Sequence, residues 1–557
     1  MTYAPTWEDF PANTDRMCRL IRRFRADGEA LNHLLTTPWS PVRREKFRRF
    51  YQEWRETLGE IPFDSLSPAD RADWVLLENL LVTELRKLDK EAIRWAEMEA
   101  LLPALHDIIT LEDERRQLID IAPMQIAERL DNALFELKRR RREIEVCLET
   151  GAEVVRATVA HRAAQALASV LLQLEEWHDF YAGYDPLFTW WVERPYQAWR
   201  EEAARYVEFL SARLAKAEKS DTIIGDPVGR EGILDELRQN LIPYSPEELI
   251  AIARREAEWC RAELIHAAQD MGLGDDWREA LERVKSRHVA PGEQPRLVRD
   301  LANEAIEFLE RHDLLTINDI AKETWRMQMM PPEMQRVNPF FLGGDDIIVS
   351  FPTNTMEHAQ KRMSLRGNNR HFARATVQHE LIPGHRMQML AMARYHDYRE
   401  SFYTPFWMEG WTLHWEMLLW DLGFAQSPED RVGMLFWRLH RCARVEFSLG
   451  FHLGSMTPQE CVEMLVNEVG HERANAEAEV RRSFGGDYDP LYQLAYLIGG
   501  LQVRALHHEI VGGGKMSHRQ FHDAFLGENC LPIALLRALL LGEPIERDFN
   551  WNWRFCG

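Results

Sequence analysis

The sequence predicts a mainly α-helical protein, and three observations support this fold class. Apolar residues recur at steps of three and four over long stretches, as on the buried face of a helix. Glycine and proline number only 30 and 26 in 557 residues and lie mainly between these stretches. No repeat of fixed period and no low-complexity segment is visible. We therefore expect a large helical body.

The helical stretches can be justified in order along the chain. The first clear one is 67–88, where Trp74, Leu77, Leu81 and Leu85 follow the helical period. Further stretches with the same pattern cover 123–148, 195–217, 246–271, 297–312, 429–448 and 457–482. The stretch at 246–271 has the strongest start signal, because a serine is followed by proline and, three residues on, by glutamate.

One region departs from the helical pattern. Within residues 338–352, two apolar, β-prone runs flank the turn sequence Gly-Gly-Asp-Asp. This pattern predicts a hairpin, so a small β element is expected just before the segment with the strongest chemistry. A soft boundary near Gly225–Gly232 divides the chain into residues 1–228 and 229–557, which could also form one continuous two-lobed body.

Composition disfavours several classes of protein. Lys and Arg total 68 against 89 Asp and Glu, and the net charge of −21 disfavours nucleic-acid binding. No apolar run approaches the ~18 residues of a membrane span. The start of the chain lacks the features of a signal peptide, and the seven scattered cysteines form no CxxC pair. We expect a cytoplasmic protein with no nucleic-acid or membrane partner, and a homodimer is left open.

The strongest chemistry lies in the segment HELIPGH at 379–385. Neutral imidazole suits Zn²⁺, and an adjacent glutamate such as Glu380 can deprotonate water whose pKa a metal lowers to about 7. On a regular helix, His379 and His385 would point about 120° apart. Because proline and glycine lie between them, a metal site predicts a distortion at Ile382–Gly384. The alternative is a helix that ends at the proline, with two incidental histidines.

A third ligand is needed, because zinc hydrolases usually keep three protein ligands and one open position. Glu409 is the candidate, since it is a lone carboxylate in an aromatic stretch and a buried carboxylate needs either a metal or an arginine as partner. Glu416 lies seven residues on, on the same helix face, where it could orient a ligand. Tyr496 is the candidate donor to an oxyanion, although a core aromatic is the simpler interpretation.

Other histidines are not assigned to a site. His414 lies on a different helix face from Glu409, so we expect it to be a core or surface residue. The adjacent His507 and His508 point to different faces of a helix, which is poor ligand geometry.

HELIPGH followed by Glu-Gly-Trp resembles the bacterial family known as domain of unknown function 885, with the pattern HExxPGH, EGW and Y-x-x-G. The similarity spans almost the whole chain, from FDSLSPADRADWVLLENLL to ENCLPIALL. It implies a helical fold similar to carboxypeptidase Taq and neurolysin-like zinc metallopeptidases, with a deep central channel. It also implies one zinc ion per chain, held by His379, His385 and Glu409, with Glu380 as general base.

The sequence thus predicts a zinc-dependent hydrolase, most simply a carboxypeptidase- or oligopeptidase-like metallopeptidase acting on a peptide or small amide. Glu380 would activate water and Tyr496 would stabilise the oxyanion. Trimming of C-termini requires an arginine for the terminal carboxylate, and Arg366 is the first candidate. The other candidates are Arg374, Arg481, Arg482 and Arg504. The alternatives are a hydrolase of a non-peptide amide or ester, and a catalytically inactive helical binding protein that retains the site.

Overall fold

The computed structural model describes residue 7 and residues 16–151, 154–216, 222–335, 338, 340–486 and 488–556. Pro339, within the predicted β region, lies outside the described residues. Contacts divide the chain into two compact units. The first comprises Met1–Leu66 and Leu77–Asp226, and the second comprises Ser67–Leu76 and Pro227–Gly557. The predicted mainly α-helical fold class is confirmed in both units.

Within its described residues, the first unit consists of helices and their connections. The helices are α1 (Arg16–Leu34), α2 (Pro41–Gly59), α3 (Pro68–Met98, from Leu77 onward), α4 (Leu105–Arg116), α5 (Pro123–Glu149), α6 (Ala157–Tyr181) and α7 (Pro186–Phe209). Apolar residues of α4–α7 form one core around the buried rings of Trp177 and Trp199. Tyr206 also belongs to this core, and its hydroxyl donates to the carbonyl of Leu101 at 2.8 Å.

The second unit carries every candidate site residue. Its helices are α8 (Gly229–Gln239), α9 (Pro246–Asp270), α10 (Trp277–Ser286), α11 (Gln294–Arg311), α12 (Asp319–Thr324), α13 (Pro332–Gln335), α14 (His358–Gly367), α15 (Arg370–Glu380), α16 (His385–Met392), α17 (Pro405–Asp421), α18 (Pro428–His452), α19 (Pro458–Met464), α20 (Arg473–Phe484), α21 (Tyr492–His507), α22 (His518–Gly527) and α23 (Ile533–Leu541). The predicted capping box starts α9, where the side chains of Ser245 and Glu248 each accept from the other's backbone N–H. The stretch predicted at 457–482 is two helices, because the chain turns at Gly470 with φ 89°.

The β element differs from the predicted hairpin. Strand β2 (Asp346–Val349) forms from the second apolar run, but it pairs in parallel with β1 (Arg326–Met329). Of the first run, Leu342 forms a single antiparallel bridge with Ile348. A parallel partner separated by helix α13 was not visible in the local turn pattern. Apolar residues of β2 pack with those of α11 and α15, so the sheet supports the helix that carries His379.

The segment Ser67–Leu76 belongs to the second unit because of a buried charge cluster. Asp73 accepts from Arg399 Nε at 2.7 Å and from the hydroxyl of Tyr398 at 2.6 Å. Arg399 is fully buried and also donates to the Glu528 carboxylate at 2.8 Å. A buried charge is tolerated only when it is paired and hydrogen-bonded, so these contacts fix the start of α3 against the second unit.

Helices α17 and α21 approach each other closely within the second unit. A Cβ atom on Gly410 would lie 2.6 Å from the carbonyl carbon of Gly499, so neither position has room for a side chain. This contact places Glu409 on α17 beside Tyr492 and Tyr496 on α21.

Candidate metal centre

The two histidines of HELIPGH lie on different helices. Helix α15 ends at Glu380 and α16 begins at His385, so the predicted distortion is present between them. The Ile382–Pro383 peptide bond is cis. A Cβ atom on Gly384 would lie only 1.7 Å from the carbonyl oxygen of His379, so glycine is required at this approach. The indole of Trp411 donates to the Pro383 carbonyl at 2.9 Å and holds the connection in place.

The distortion brings three potential ligand atoms together. Glu409 Oε2 lies 3.5 Å from His379 Nε2 and 3.5 Å from His385 Nε2. All three side chains are buried, and Glu409 Oε2 has no hydrogen-bond partner. Two neutral imidazoles and one carboxylate form a donor set suited to zinc. An unpartnered buried carboxylate oxygen between two ring nitrogens is what such a site requires before an ion fills it.

Each histidine is oriented by a second hydrogen bond. His379 Nδ1 lies 2.7 Å from Glu416 Oε1, and His385 Nδ1 lies 3.0 Å from Gln388 Oε1. An imidazole that donates through Nδ1 presents the lone pair of Nε2, and metal-binding histidines are commonly fixed in this way. Glu416 therefore contacts His379, as an orienting partner would, and the role itself stays a prediction.

The charges of the protein alone leave this centre suited to a cation. Burial by itself lowers the pKa of His379, but the nearby carboxylates of Glu409 and Glu416 outweigh it and raise the pKa to about 9. Burial would raise the pKa of Glu409, yet His385 and His379 hold it well below its usual range. The carboxylates thus stabilise positive charge here, which a proton or a metal ion can supply.

Glu380 lies beside the ligands and lines the same cavity. Ligand atoms of His379, Glu380 and His385 all lie within 4.8 Å of one another. Burial raises the pKa of Glu380, while the nearby His379 and His385 partly oppose that shift. Gly343 packs directly against it, because a Cβ there would lie 2.3 Å from Glu380 Oε2. A glycine at this position leaves the carboxylate room beside the ligands.

The cavity has a volume of about 270 Å³ and is lined by aromatic and arginine side chains as well as by the ligands. The ring of Tyr496 stacks on His379 with centroids 6.0 Å apart and planes at 14°. The guanidinium of Arg444 lies 4.4 Å from the centre of the Tyr496 ring. The Tyr492 hydroxyl donates to Glu409 Oε1. Burial raises the pKa of both tyrosines, so they are neutral donors at pH 7.

Comparison with known proteins gives a family. The sequence profile described as "Bacterial protein of unknown function (DUF885)" matches residues 25–540. The chain belongs to this family. No curated protein matches the sequence.

Two solved structures share the fold of this DUF885 member. One is from Shewanella oneidensis and is described as "a putative lipoprotein of unknown function"; it has a TM-score of 0.71 and 15% identity, over 95% of this chain and 100% of that one. The other, from Colwellia psychrerythraea and described as a "putative lipoprotein", has a TM-score of 0.58 and 16% identity, over 90% and 91%. At this identity the likeness shows the fold alone. No described helix of the DUF885 chain has the length and apolar character that a bilayer crossing requires.

The structure brings together five of the six predicted site residues of this DUF885 chain. His379, Glu380, His385, Glu409 and Tyr496 all line the cavity. Arg366 does not. Its guanidinium binds Glu282 and, at 2.9 Å, Glu472, and these residues line a different surface depression. An arginine with two acidic partners is already neutralised, so the structure does not place Arg366 where a substrate of this cavity would lie.

Several residues in or beside the candidate centre of the DUF885 chain escaped sequence reasoning. Tyr492 precedes Tyr496 by one helical turn, and this i, i+4 spacing was a usable signal. Gln388 follows His385 by three residues, which was a weaker signal of an orienting role. Arg441 and Arg444 lie on α18, far from HELIPGH in sequence, and no local pattern connects that helix to the centre.

Proposed function

We propose that this protein is a zinc-dependent hydrolase, most simply a metallopeptidase. One observation carries the proposal: three buried ligand atoms, from His379, His385 and Glu409, converge with an unpartnered carboxylate oxygen among them, and Glu380 lies alongside. When bound there, zinc supplies a Lewis acid that polarises a carbonyl and lowers the pKa of water.

The remaining chemistry belongs to side chains of the chain itself. Glu380 takes a proton from the attacking water and later passes it to the leaving amine. Its raised pKa brings it closer to the range in which one group can do both. We assign the donor to the developing oxyanion to Tyr496, which lines the cavity, because the hydroxyl of Tyr492 is engaged with Glu409 Oε1. Glu416 and Gln388 keep both imidazoles in the tautomer that a metal requires.

The test combines metal content with turnover. The purified parent should release products from a pool of short peptides, and Glu380→Gln should lose at least about 100-fold in kcat while keeping its zinc. His379→Ala should contain one ion per chain fewer than the parent. Glu446→Gln is the matched control, because Glu446 pairs with Arg254 on the surface and does not line the cavity. Full peptide hydrolysis by Glu380→Gln would exclude the general-base role.

The outcome also separates the alternatives. Zinc binding with turnover of esters or non-peptide amides, but of no peptide, would support the second hydrolase class. Zinc binding without any turnover would support a helical binding protein that retains the site. The deep channel expected from resemblance to metallopeptidases stays a prediction.

The cellular location is a separate proposal. The cysteines at 147, 260, 442, 461, 530 and 556 form no disulfide, which suits a reducing cytoplasm. Both solved structures of similar fold are nevertheless described as "putative lipoprotein". Fractionation of cells that produce the tagged protein decides the point: recovery with the membrane or periplasmic fraction would contradict the cytoplasmic location.

A further inference from the structure

The first inference concerns three arginines that share the cavity with the candidate metal ligands. Arg441 Nη2 lies 3.4 Å from Glu416 Oε1, and Arg444 Nε donates to Glu479 Oε1 at 2.7 Å. Arg482 is also buried, but no carboxylate among the described residues pairs with it, and its Nε has no acceptor. Within the part of the chain that the structure describes, Arg482 is therefore a buried cation with no carboxylate in direct contact.

Two features prepare this arginine to bind an anion. The ring of Tyr488 lies 4.6 Å from its guanidinium and orients that plane. Arg444 contributes a second buried donor, because its Nη1 has no acceptor while Nε is bound to Glu479. A carboxylate has two oxygens that match such donors, and charge-assisted hydrogen bonds are the strong ones. The arrangement thus fits a carboxylate better than a neutral amide.

We propose that Arg482, assisted by Arg444, binds a carboxylate of the substrate. This inference rests on the proposed function, because it assigns the substrate class of that same cavity. A peptide C-terminus and an acidic side chain share this chemistry. The cavity of about 270 Å³ favours the C-terminus, since it is slightly smaller than the roughly 300–1,000 Å³ of small-molecule sites and suits a chain end better than a continuing chain.

The test uses binding, so that it does not depend on turnover. Glu380→Gln is titrated by calorimetry with three peptides of one sequence: free C-terminus, amidated C-terminus, and amidated with one internal glutamate. We expect the free C-terminus to bind about 10- to 100-fold more tightly than the plain amide. Adding Arg482→Gln should remove that preference, and adding Arg481→Gln, the neighbouring arginine outside the cavity lining, should keep it.

Each result assigns the carboxylate or rejects it. Preference for the internal glutamate would assign the subsite to an acidic side chain. Equal affinity for all three peptides, or no binding, would overturn the inference. If the parent hydrolyses peptides without any preference for a carboxylate, the proposed function stands and this subsite falls. If the protein prefers the free C-terminus but the parent hydrolyses no peptide, the carboxylate subsite stands and the proposed function falls.

A different observation carries a second inference. Four histidines meet where α17, α21 and α22 pack: His414, His507, His518 and His522. His414 Nε2 lies 3.0 Å from His522 Nε2, and His507 Nε2 lies 3.0 Å from His518 Nδ1. Three ring nitrogens lie within 4.8 Å of one another, one each from His414, His507 and His522. Sequence spacing did not predict this meeting, because three helices supply the rings.

The contact between His414 Nε2 and His522 Nε2 is not explained by any placement of the ring protons that satisfies every buried nitrogen. His522 Nδ1 lies 2.7 Å from the carbonyl of Leu314, so Nδ1 carries the proton and Nε2 presents its lone pair. If His414 is protonated on Nε2, its buried Nδ1 is an acceptor without a donor. If it is protonated on Nδ1, two lone pairs face each other at 3.0 Å. A cation between them resolves the second arrangement.

The surroundings suit a metal ligand set. The hydrogen bond from His522 to a backbone carbonyl is the contact that commonly fixes a metal-binding imidazole. Burial lowers the pKa of all four rings, to about 4 for His507, so they are neutral at pH 7. The charge of Arg504 acts on His414 and His507, and Arg504 is paired with Asp421 at 3.0 Å.

We infer that His414, His507 and His522 bind a divalent cation of the borderline class, such as Zn²⁺ or Co²⁺. Three neutral nitrogens on three helices would hold α17, α21 and α22 together, which is a structural role. This inference is independent of the catalytic proposal and predicts two ions per chain rather than the one expected from the sequence.

The test removes the first centre before probing the second. The variant His379→Ala/His385→Ala should still bind one Co²⁺ per chain, with a visible absorption spectrum, and should melt at a higher temperature with the ion. Adding His507→Gln should abolish both effects, whereas adding His508→Gln, an exposed neighbour, should abolish neither. Circular dichroism confirms folding of each variant. A folded double variant that binds no Co²⁺, or binding that survives both His507→Gln and His522→Gln, would overturn the inference.

Discussion

The hydrogen bond between His379 and Glu416 makes a quantitative prediction about zinc affinity. Glu416→Gln keeps the size of the side chain but removes the charged acceptor that lies 2.7 Å from His379 Nδ1. Loss of such an orienting partner typically weakens metal binding by about 10- to 100-fold. Glu416 also faces Arg441 at 3.4 Å, so the substitution removes part of the compensation of that buried cation.

Competition between a proton and zinc for His379 depends on pH and opposes this loss of zinc affinity. In the metal-free parent, burial lowers the pKa of His379, but the nearby carboxylates of Glu409 and Glu416 outweigh it and raise the pKa to about 9. At pH 7, two pH units below that pKa, a proton therefore competes with zinc by a factor of about 100. Glu416→Gln lowers the pKa of His379 and lessens this competition. The variant should thus lose most affinity near pH 9 and less at pH 6.

The assay is competition for zinc against a chelator of known affinity, from pH 6 to 9, with Glu446→Gln as a surface control. Circular dichroism at each pH shows whether both proteins stay folded. Equal zinc affinity of parent and Glu416→Gln at pH 9 would refute the orienting role of Glu416. A loss that is greatest at pH 6 would refute the assignment of the raised pKa to this carboxylate.

Three further predictions concern stability and geometry. In the metal-free protein, the raised pKa of His379 contributes up to about 3 kcal/mol to the free energy of unfolding. This contribution is present below pH 6.5 and is lost as the pH rises through about 9, so the free energy of unfolding measured with urea should fall over that range. Gly384→Ala should lower the zinc content by one ion per chain in metal analysis, because its Cβ would lie 1.7 Å from the carbonyl oxygen of His379; Gly527→Ala, with open space around it, should not. Arg399→Met should cost about 3–5 kcal/mol in urea unfolding, because it leaves the buried Asp73 without its cation; a cost below 1 kcal/mol would contradict that account.

The sequence by itself determined much of this protein. The helical period and the scarcity of glycine and proline predicted the fold class, and the capping signal placed the start of α9. The proline and glycine of HELIPGH, set against the six-residue spacing of His379 and His385, predicted the distortion at Ile382–Gly384. These inferences succeeded because each depends on residues within one or two helical turns.

Tertiary structure decided the rest. The partner of β2 is a strand about 20 residues earlier, and a parallel pairing leaves no turn signature. Arg482, Arg444 and the cluster around His414 come from helices distant in sequence, and only packing brings them to a cavity or to one another. Whether an arginine is neutralised, as Arg366 is, or has no carboxylate partner among the described residues, as with Arg482, depends on those same long-range contacts, which local periodicity does not encode.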